Sequence, residues 1–371
     1  MKTKILTILQ IKKYLNEKGL VTRKKANKEK ESNFGTLTRT FISSTIIISI
    51  FSIAPLIINF TKERAVLHKN FENDSKNKLK VLLENKDQKS DNIINKNFLF
   101  EDVLNFDEQQ VDTIRLSAAT VEELFKSTNY NLKDVRKNKL VKPIRLTLLP
   151  AEIKKIENIK KRKDLFIQII LPLIIKENNY IKSDRNKLFN VLNKSKNTKI
   201  EKKWLESKFK QYGVVNNDLS TLKIRMDEVP ISMTIAQAAK ETGWGTSRFA
   251  QEGNALFGQW TWSGKGIKPL SADSDTTHKI MKFRVLQASV KAYQRNLNTH
   301  SSYKAFRSAR AELRYDNKKL DSLILADYLD KYAETGKEYV SILKKIIRQN
   351  NLTDFDDAKL LPSSINLESL I

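Results

Sequence analysis

Glu241 is the residue whose sequence surroundings point most directly to chemistry. Pro230 suits the first position of a helix, apolar residues recur after it at helical spacing, and Gly243 marks the helix end. Glu241 then lies on the last turn, where the negative end of the helix dipole raises its pKa. Trp244 supplies an apolar wall that raises this pKa further by desolvation. We therefore expect Glu241 to keep its proton near neutral pH, as a general acid must. The alternative is a surface glutamate near a helix end.

The composition excludes several other chemistries. The chain of 371 residues has no Cys, which removes thiol nucleophiles, disulfides and cysteine metal sites. Its three His residues, His68, His278 and His300, are far apart and lack the paired spacing of a zinc site. We therefore predict neither a metal nor any other cofactor.

The stretch around Glu241 resembles a known catalytic domain. It carries an A-Q-A-x-x-E-[ST]-G-W-G core at Ala236 to Gly245, followed by N-A-L-F-G at Asn254 to Gly258, which is similar to an N-x-[FL]-G motif with one additional residue. Both motifs are typical of the glucosaminidase domain of glycoside hydrolase family 73, and the sequence is most similar to its Bax-type branch. Residues 281–297 and 329–347 resemble the family's strand-to-helix segment and its Y-A-T-D-P-x-Y-x-x-K-I motif. The resemblance covers residues 163–352.

This resemblance implies a mainly α, lysozyme-like fold with a small β-hairpin lobe. It also implies a cleft for the polymer of N-acetylglucosamine and N-acetylmuramic acid, with cleavage of the β-1,4 link on the reducing side of N-acetylglucosamine. Glu241 matches the family's catalytic glutamate and Tyr332 its active-site tyrosine, whereas Tyr339 matches a packing position. The resemblance predicts substrate contacts at motif and aromatic residues: Gln237, Trp244, Asn254, Phe257, Trp260 and Trp262. Among the aromatic residues, we expect Trp260 or Trp262 to stack on a sugar ring, and core packing is the alternative for each.

The second catalytic group is left open by the sequence. Many members of the family supply another carboxylate from the hairpin after the second motif, but the corresponding loop here holds only Asp273 and Asp275. Either aspartate is a candidate for the base that activates water, and the acetamido group of the substrate is another. The alternative for both is a solvated loop residue.

An uncharged run at residues 40–61 has the length and apolar character of a helix that crosses a bilayer. Eleven Lys or Arg residues precede it in the leader, residues 1–39, so the positive-inside rule keeps the N-terminus in the cytoplasm. We predict an uncleaved, single-pass anchor in the inner membrane with the remaining chain in the periplasm or wall, and a cleaved signal peptide is the alternative. The second apolar run, residues 165–181, is shorter and contains Pro172, which favours a buried core helix.

The rest of the chain is organised around the predicted catalytic domain. Residues 62–119 are rich in Lys, Asn and Asp and predict a tether, residues 120–162 an accessory segment, and residues 353–371 a C-terminal tail. The formal net charge of +26 favours polyanionic partners such as the bacterial wall, although a Lys-rich composition without specific contacts gives the same charge.

These observations lead to one functional hypothesis and two rivals. The hypothesis is a membrane-anchored peptidoglycan hydrolase of the endo-β-N-acetylglucosaminidase type, with glycan strands as its partner. The first rival is a non-catalytic wall-binding or scaffold protein that keeps the fold. The second, a nucleic-acid-binding protein, is disfavoured because the predicted anchor places the basic body outside the cytoplasm, so we expect no nucleic-acid partner.

Overall fold

The structure is a computed structural model that describes Val103 and residues 114–261, 266–268 and 279–362, all within one compact unit, Leu82–Ile371. The predicted leader, the predicted anchor and nearly all of the predicted tether lie outside these residues. Trp262, Asp273 and Asp275 also lie outside them. Within the described ranges, no helix combines the length and the hydropathy that crossing a bilayer requires.

The described residues are mainly helical, which confirms the predicted mainly α class. The α-helices are α1 Ala118–Ser127, α2 Leu132–Asn138, α3 Ile159–Leu192, α4 Lys199–Gln211, α5 Leu219–Arg225, α6 Ile231–Thr242, α7 Arg248–Gly253, α8 Leu286–Thr299, α9 Lys304–Tyr315, α10 Ser322–Leu325 and α11 Lys337–Gln349. The strands are β1 Leu140–Val141, β2 Trp260–Thr261, β3 Gly266–Ile267, β4 Lys279–Met281 and β5 Lys359–Leu360. Short 3-10 helices connect them at Ala151–Lys155, Val215–Asn217, Ser301–Tyr303, Ala326–Tyr332 and Leu352–Phe355.

The strands form two small sheets. Strand β4 lies between β2 and β3 and is antiparallel to both, so the lobe has one strand more than the predicted hairpin. Strands β1 and β5 pair in parallel, with Leu140 opposite Lys359, although they are more than 200 residues apart in the sequence. The stretch predicted as a C-terminal tail therefore begins with residues that pair and pack: Phe355 is fully buried. The predicted accessory segment likewise shares one apolar core with the helices around Glu241.

Helix α3 is the long core helix that the second apolar run predicts, and it continues through Pro172. Proline has no backbone N–H, so the carbonyl of Gln168, four residues earlier, loses its helical donor. The hydroxyl of Tyr130 donates to that carbonyl at 3.1 Å, and the Gln168 side-chain amide donates to the Tyr130 carbonyl at 2.6 Å. A buried tyrosine from outside the helix thus satisfies the carbonyl that Pro172 leaves without its usual donor.

Helix α6, which carries Glu241, has no exposed face from Ile231 to Ala239. It begins one residue after Pro230, and Asp356 satisfies its first turn by accepting from the Ser232 N–H at 2.8 Å and from the Ser232 hydroxyl at 2.7 Å. It ends at Gly243, whose φ of +58° is the left-handed cap that glycine favours. The predicted bounds are therefore correct to within one residue.

The segment that leads into α6 is held by a buried charge cluster around Asp227. Desolvation opposes ionisation of Asp227, but Arg185, Arg314 and Arg310 outweigh it and lower its pKa well below the ordinary value. Arg314 bonds the Asp227 carboxylate at 3.0 Å, and Arg310 donates to the Asp227 and Glu228 carbonyls at 3.0 Å each. Because such an ion is costly to bury unpaired, the cluster fixes the approach to the helix that carries Glu241.

The Pro172 account predicts coupling between two residues of the core. Tyr130→Phe removes the donor to Gln168, and we expect it to lower the free energy of unfolding by about 1–3 kcal/mol. Pro172→Ala returns a helical N–H to that carbonyl, so Tyr130→Phe should cost less in the Pro172→Ala background. Urea unfolding of the wild type, the two single variants and the double variant measures the coupling. Tyr315→Phe, at a half-buried tyrosine, is the control. Equal costs in the two backgrounds would contradict this account.

Candidate active site

Glu241 lies half-buried on the last turn of α6, the position that the sequence predicts. Its Oε1 atom accepts a hydrogen bond of 2.9 Å from the hydroxyl of Tyr339 in α11. Burial raises the pKa of Glu241 above its ordinary value, against the opposing effects of the Tyr339 hydrogen bond and the charge of Lys240. The carboxyl group is thus biased toward the protonated form, the state that a general acid needs.

Tyr339 is the last member of a hydrogen-bonded relay that runs beneath Glu241. The Tyr293 hydroxyl donates to Gln237 Oε1, and Gln237 Nε2 donates to the Tyr339 hydroxyl at 3.1 Å. Because the Tyr339 oxygen already accepts from an amide, its single proton is directed to Glu241. Burial raises the pKa of Tyr293 and Tyr339, so both stay protonated and remain donors. The relay therefore fixes the orientation of the Glu241 carboxyl group.

Gln237, for which the resemblance predicts a substrate contact, lies in the interior of the protein. It lies one helical turn before Glu241, it is fully buried, and its amide oxygen and nitrogen are both used within the relay. The structure thus places Gln237 behind Glu241, where it orients Tyr339, and not as an exposed group beside the carboxyl group.

Gly258 lies beside the Glu241 carboxyl group. Its φ is +60°, and a Cβ atom added there would lie 3.1 Å from Glu241 Oε2. An ordinary side chain at this position meets both a strained backbone and the carboxyl oxygen. The glycine of the second motif therefore leaves Oε2 open on the side that Tyr339 does not occupy.

The loop before Gly258 is fixed from three sides. The Asn254 side-chain amide donates to the Phe283 and Arg284 carbonyls at 3.0 Å each, and the Phe257 ring stacks on Tyr293 with centroids 4.0 Å apart. The Tyr332 hydroxyl donates to the Phe257 carbonyl at 2.7 Å. Asn254 and Phe257, for which the resemblance predicts substrate contacts, are both buried and hold this loop.

Tyr332, the predicted active-site tyrosine, reaches the site indirectly. Its ring stacks on that of Tyr339 with centroids 5.5 Å apart and planes inclined by 10°. Its hydroxyl bonds the loop carbonyl, while the hydroxyl that bonds Glu241 belongs to Tyr339. The structure thus places the predicted packing tyrosine in contact with the acid and the predicted active-site tyrosine behind it.

Trp244 is directed toward α3. Its φ of +62° continues the left-handed turn of Gly243. The Trp244 and Phe166 rings pack in a T-shaped arrangement with centroids 6.0 Å apart, and Lys163 Nζ lies 4.9 Å from the centre of the Trp244 ring. The groups that the structure places beside the Glu241 carboxyl group are the Tyr339 hydroxyl and Gly258, while the Trp244 ring packs on Phe166. Trp260, in β2, is 45% exposed.

Tyr339, Tyr293 and Gly258 are the functional candidates that the sequence analysis does not single out. One signal for the relay was present in the sequence, because Gln237 and Glu241 are four residues apart and share a helix face.

The described residues contain no cluster of ligands that could hold a metal ion. Two cavities in the described part of the chain, of about 590 and 360 Å³, are lined by other residues and do not include Glu241.

The contact between Gly258 and Glu241 predicts a coupled pair of substitutions. Gly258→Ala places a methyl group against Oε2 and strains the backbone, the latter costing about 1–2 kcal/mol for a left-handed residue. In a Glu241→Ala background only the backbone cost remains, so Gly258→Ala should destabilise the protein less. Denaturant unfolding of the four proteins checks this expectation. If the two substitutions lowered the free energy of unfolding additively, glycine would be required at position 258 by its backbone conformation alone.

Comparison with known proteins agrees with the position of this site. A family model described as mannosyl-glycoprotein endo-beta-N-acetylglucosaminidase matches residues 218–352, from just before α5 to just after α11. Protein bax of Escherichia coli (strain K12) is 31% identical over 195 residues, which cover 51% of this chain and 70% of that protein. No solved structure matches the chain. The domain match and the extent of this similarity show that the chain belongs to the family of Bax-like proteins with a glucosaminidase domain.

Proposed function

We propose that this protein hydrolyses the glycan backbone of peptidoglycan at the β-1,4 bond on the reducing side of N-acetylglucosamine. The single observation that carries the proposal is the half-buried, hydrogen-bonded position of Glu241 within a glucosaminidase domain. A carboxyl group biased toward its protonated form can protonate the oxygen of a departing sugar, and this step is central to glycoside hydrolysis.

The two oxygens of Glu241 have different roles in this proposal. Oε1 accepts from Tyr339, so the proton to be transferred lies on Oε2, the oxygen that faces Gly258. As the bond between the anomeric carbon and the bridging oxygen breaks, that oxygen takes the proton and positive charge develops on the sugar ring. Tyr339 then stabilises the carboxylate that remains, because a hydrogen bond to the charged form favours it.

A second group must complete the reaction at the anomeric carbon. Asp273, Asp275 and the acetamido group of the substrate remain the candidates, with water supplying the oxygen that ends on the new reducing end. Trp260, which is 45% exposed, and Trp262 remain the candidates for stacking on a sugar ring.

The proposal predicts a large loss of activity for one conservative substitution. Glu241→Gln keeps the size of the side chain and removes the acid, and we expect the rate of sacculus digestion to fall by about 10² to 10⁴-fold. Tyr339→Phe removes the bond that favours the carboxylate, so it should shift the basic limb of the pH–rate profile to higher pH. Mass spectrometry of the released muropeptides identifies the bond cut.

Matched controls separate chemistry from folding in this experiment. Glu252→Gln makes the same change at an exposed residue of α7 and should leave the rate unchanged. Glu241→Gln should still bind sacculi with nearly wild-type affinity. Digestion by Glu241→Gln at the wild-type rate would contradict the role of this residue, and binding without cleavage by the wild type would favour the scaffold function instead.

We also propose that the chain is held in the inner membrane by residues 40–61, with its catalytic domain in the periplasm or wall. The proposal rests on the uncharged run behind a basic leader. A reporter that is active only after export, fused after residue 70, should be active, and a reporter that requires the cytoplasm should be inactive at the same position. Cytoplasmic activity there would overturn the proposed topology.

A further inference from the structure

Tyr293, a fully buried residue of α8, reaches both sides of the Glu241 carboxyl group through other residues. Its hydroxyl donates to Gln237 Oε1, which is the first bond of the relay that ends at Glu241 Oε1. Its ring stacks on Phe257, with centroids 4.0 Å apart and planes inclined by 13°. Phe257 precedes Gly258, which lies beside Oε2. One side chain thus supports the surroundings of both carboxyl oxygens.

The Gln237 amide controls the direction in which the relay donates. An amide has an acceptor at one end and donors at the other, and each end of this one faces a tyrosine hydroxyl. With Oε1 toward Tyr293, Nε2 donates to the Tyr339 oxygen, and the Tyr339 proton goes to Glu241. If the amide were turned around, its oxygen would accept the Tyr339 proton, and Glu241 would lose this donor.

The proton of Tyr293 opposes this reversal. In the observed orientation Gln237 Oε1 accepts that proton, and turning the amide around would break the bond. Tyr293→Phe removes the bond and with it the preference for the observed orientation. The reversed amide suits a protonated Glu241, because the Tyr339 oxygen can then accept from the carboxyl O–H. The Tyr293 hydroxyl therefore favours the carboxylate form of Glu241, although two residues separate them in the relay.

The ring of Tyr293 supports the loop that carries Gly258. It stacks on the buried Phe257 ring, and it also packs on the Tyr332 ring, with centroids 6.4 Å apart and planes inclined by 62°. The Tyr332 hydroxyl in turn donates to the Phe257 carbonyl at 2.7 Å. Because rings packed in a dense interior leave little room for movement, a smaller residue at position 293 would free the loop beside Oε2.

Changes in the relay act on Glu241 without changing the charge around it. Burial raises the pKa of each tyrosine near the site, so all of them are neutral where a glutamate titrates: Tyr293, Tyr303, Tyr332 and Tyr339. Within the described part of the chain, Lys240 is the one charged side chain that acts on the pKa of Glu241, and it is an exposed residue outside the relay. A shift in the ionisation of Glu241 in a relay variant thus reports on the hydrogen bonds themselves.

From these contacts we propose that Tyr293 is a positioning residue for Glu241: its hydroxyl sets the direction in which the relay donates, and its ring fixes the loop beside Oε2. The value of this arrangement for catalysis rests on the proposed role of Glu241 as the acid. The arrangement itself does not, because the ionisation of Glu241 can be measured without hydrolysis.

Carbon-13 NMR titration of the full chain tests the role of the hydroxyl. Tyr293→Phe keeps the ring and should raise the Glu241 midpoint by about 0.5–1 pH unit, the shift that corresponds to the net contribution of one hydrogen bond. Tyr339→Phe should raise it as well, and the double variant should titrate no higher than Tyr339→Phe, since both act through the same bond to Oε1. Tyr212→Phe, the same change at a buried tyrosine outside the relay, should leave the midpoint unchanged. An unchanged midpoint in Tyr293→Phe, or additive shifts in the double variant, would overturn the proposal.

Digestion of sacculi tests the role of the ring. Tyr293→Leu removes the hydroxyl and the ring together, so its rate should fall at least about tenfold below that of Tyr293→Phe, because a displaced loop disturbs the geometry at Oε2. Thermal unfolding identifies a variant that fails to fold, and the titration of Tyr293→Phe then decides alone. Equal rates for folded Tyr293→Leu and Tyr293→Phe would overturn the role of the ring. Digestion by Glu241→Gln at the wild-type rate, together with the expected shifts of the midpoint, would contradict the proposed function and support the positioning of this carboxyl group.

Discussion

The burial of helix α6 on all sides is the constraint on which the site depends. A helix with no exposed face between Ile231 and Ala239 must satisfy each of its polar groups inside the protein, because unsatisfied groups there are costly. Ser232 does so through Asp356, Gln237 does so through two tyrosines, and Glu241 at the end of the helix does so through Tyr339. The hydrogen bonds that satisfy Gln237 inside the protein thus belong to the same relay that orients the Glu241 carboxyl group.

The same burial determines the balance of effects on the pKa of the Glu241 carboxyl group. Burial disfavours its charged form, while Tyr339 and Lys240 favour that form, and burial has the larger effect on its pKa. The balance suits an acid that must give up a proton and then exist briefly as a carboxylate. Gly258 completes the arrangement by leaving the second oxygen uncovered, so the protein holds one oxygen firmly and leaves the other to react.

The local features of this site could be predicted from the sequence. The end of α6 at Gly243, the core helix around Pro172 and the mainly α class follow from apolar spacing and from residues that begin and end helices. Glu241 follows from its motif. These features depend on neighbours within a few residues, which the printed sequence shows directly.

The contacts across the chain could not be predicted in the same way. Tyr339 lies 98 residues from Glu241 and Tyr293 lies 56 residues from Gln237, so only the packing of α6, α8 and α11 brings them together. The left-handed backbone of Trp244 directs its ring to α3, a direction that a residue's type does not reveal. The 3-10 helix Leu352–Phe355 and strand β5 likewise depend on long-range contacts, because Arg136 bonds Asp354 and β5 pairs with β1.

The titration of Glu241 itself tests the central claim most directly. Carbon-13 NMR of the glutamate carboxyl groups, with the Glu241 signal assigned by its loss in Glu241→Gln, follows its ionisation against pH. The account predicts a midpoint above about 4.3, the value of an unperturbed glutamate, and a still higher midpoint in Tyr339→Phe. A midpoint at or below the unperturbed value in the folded protein would contradict the claim that burial keeps this carboxyl group ready to donate a proton.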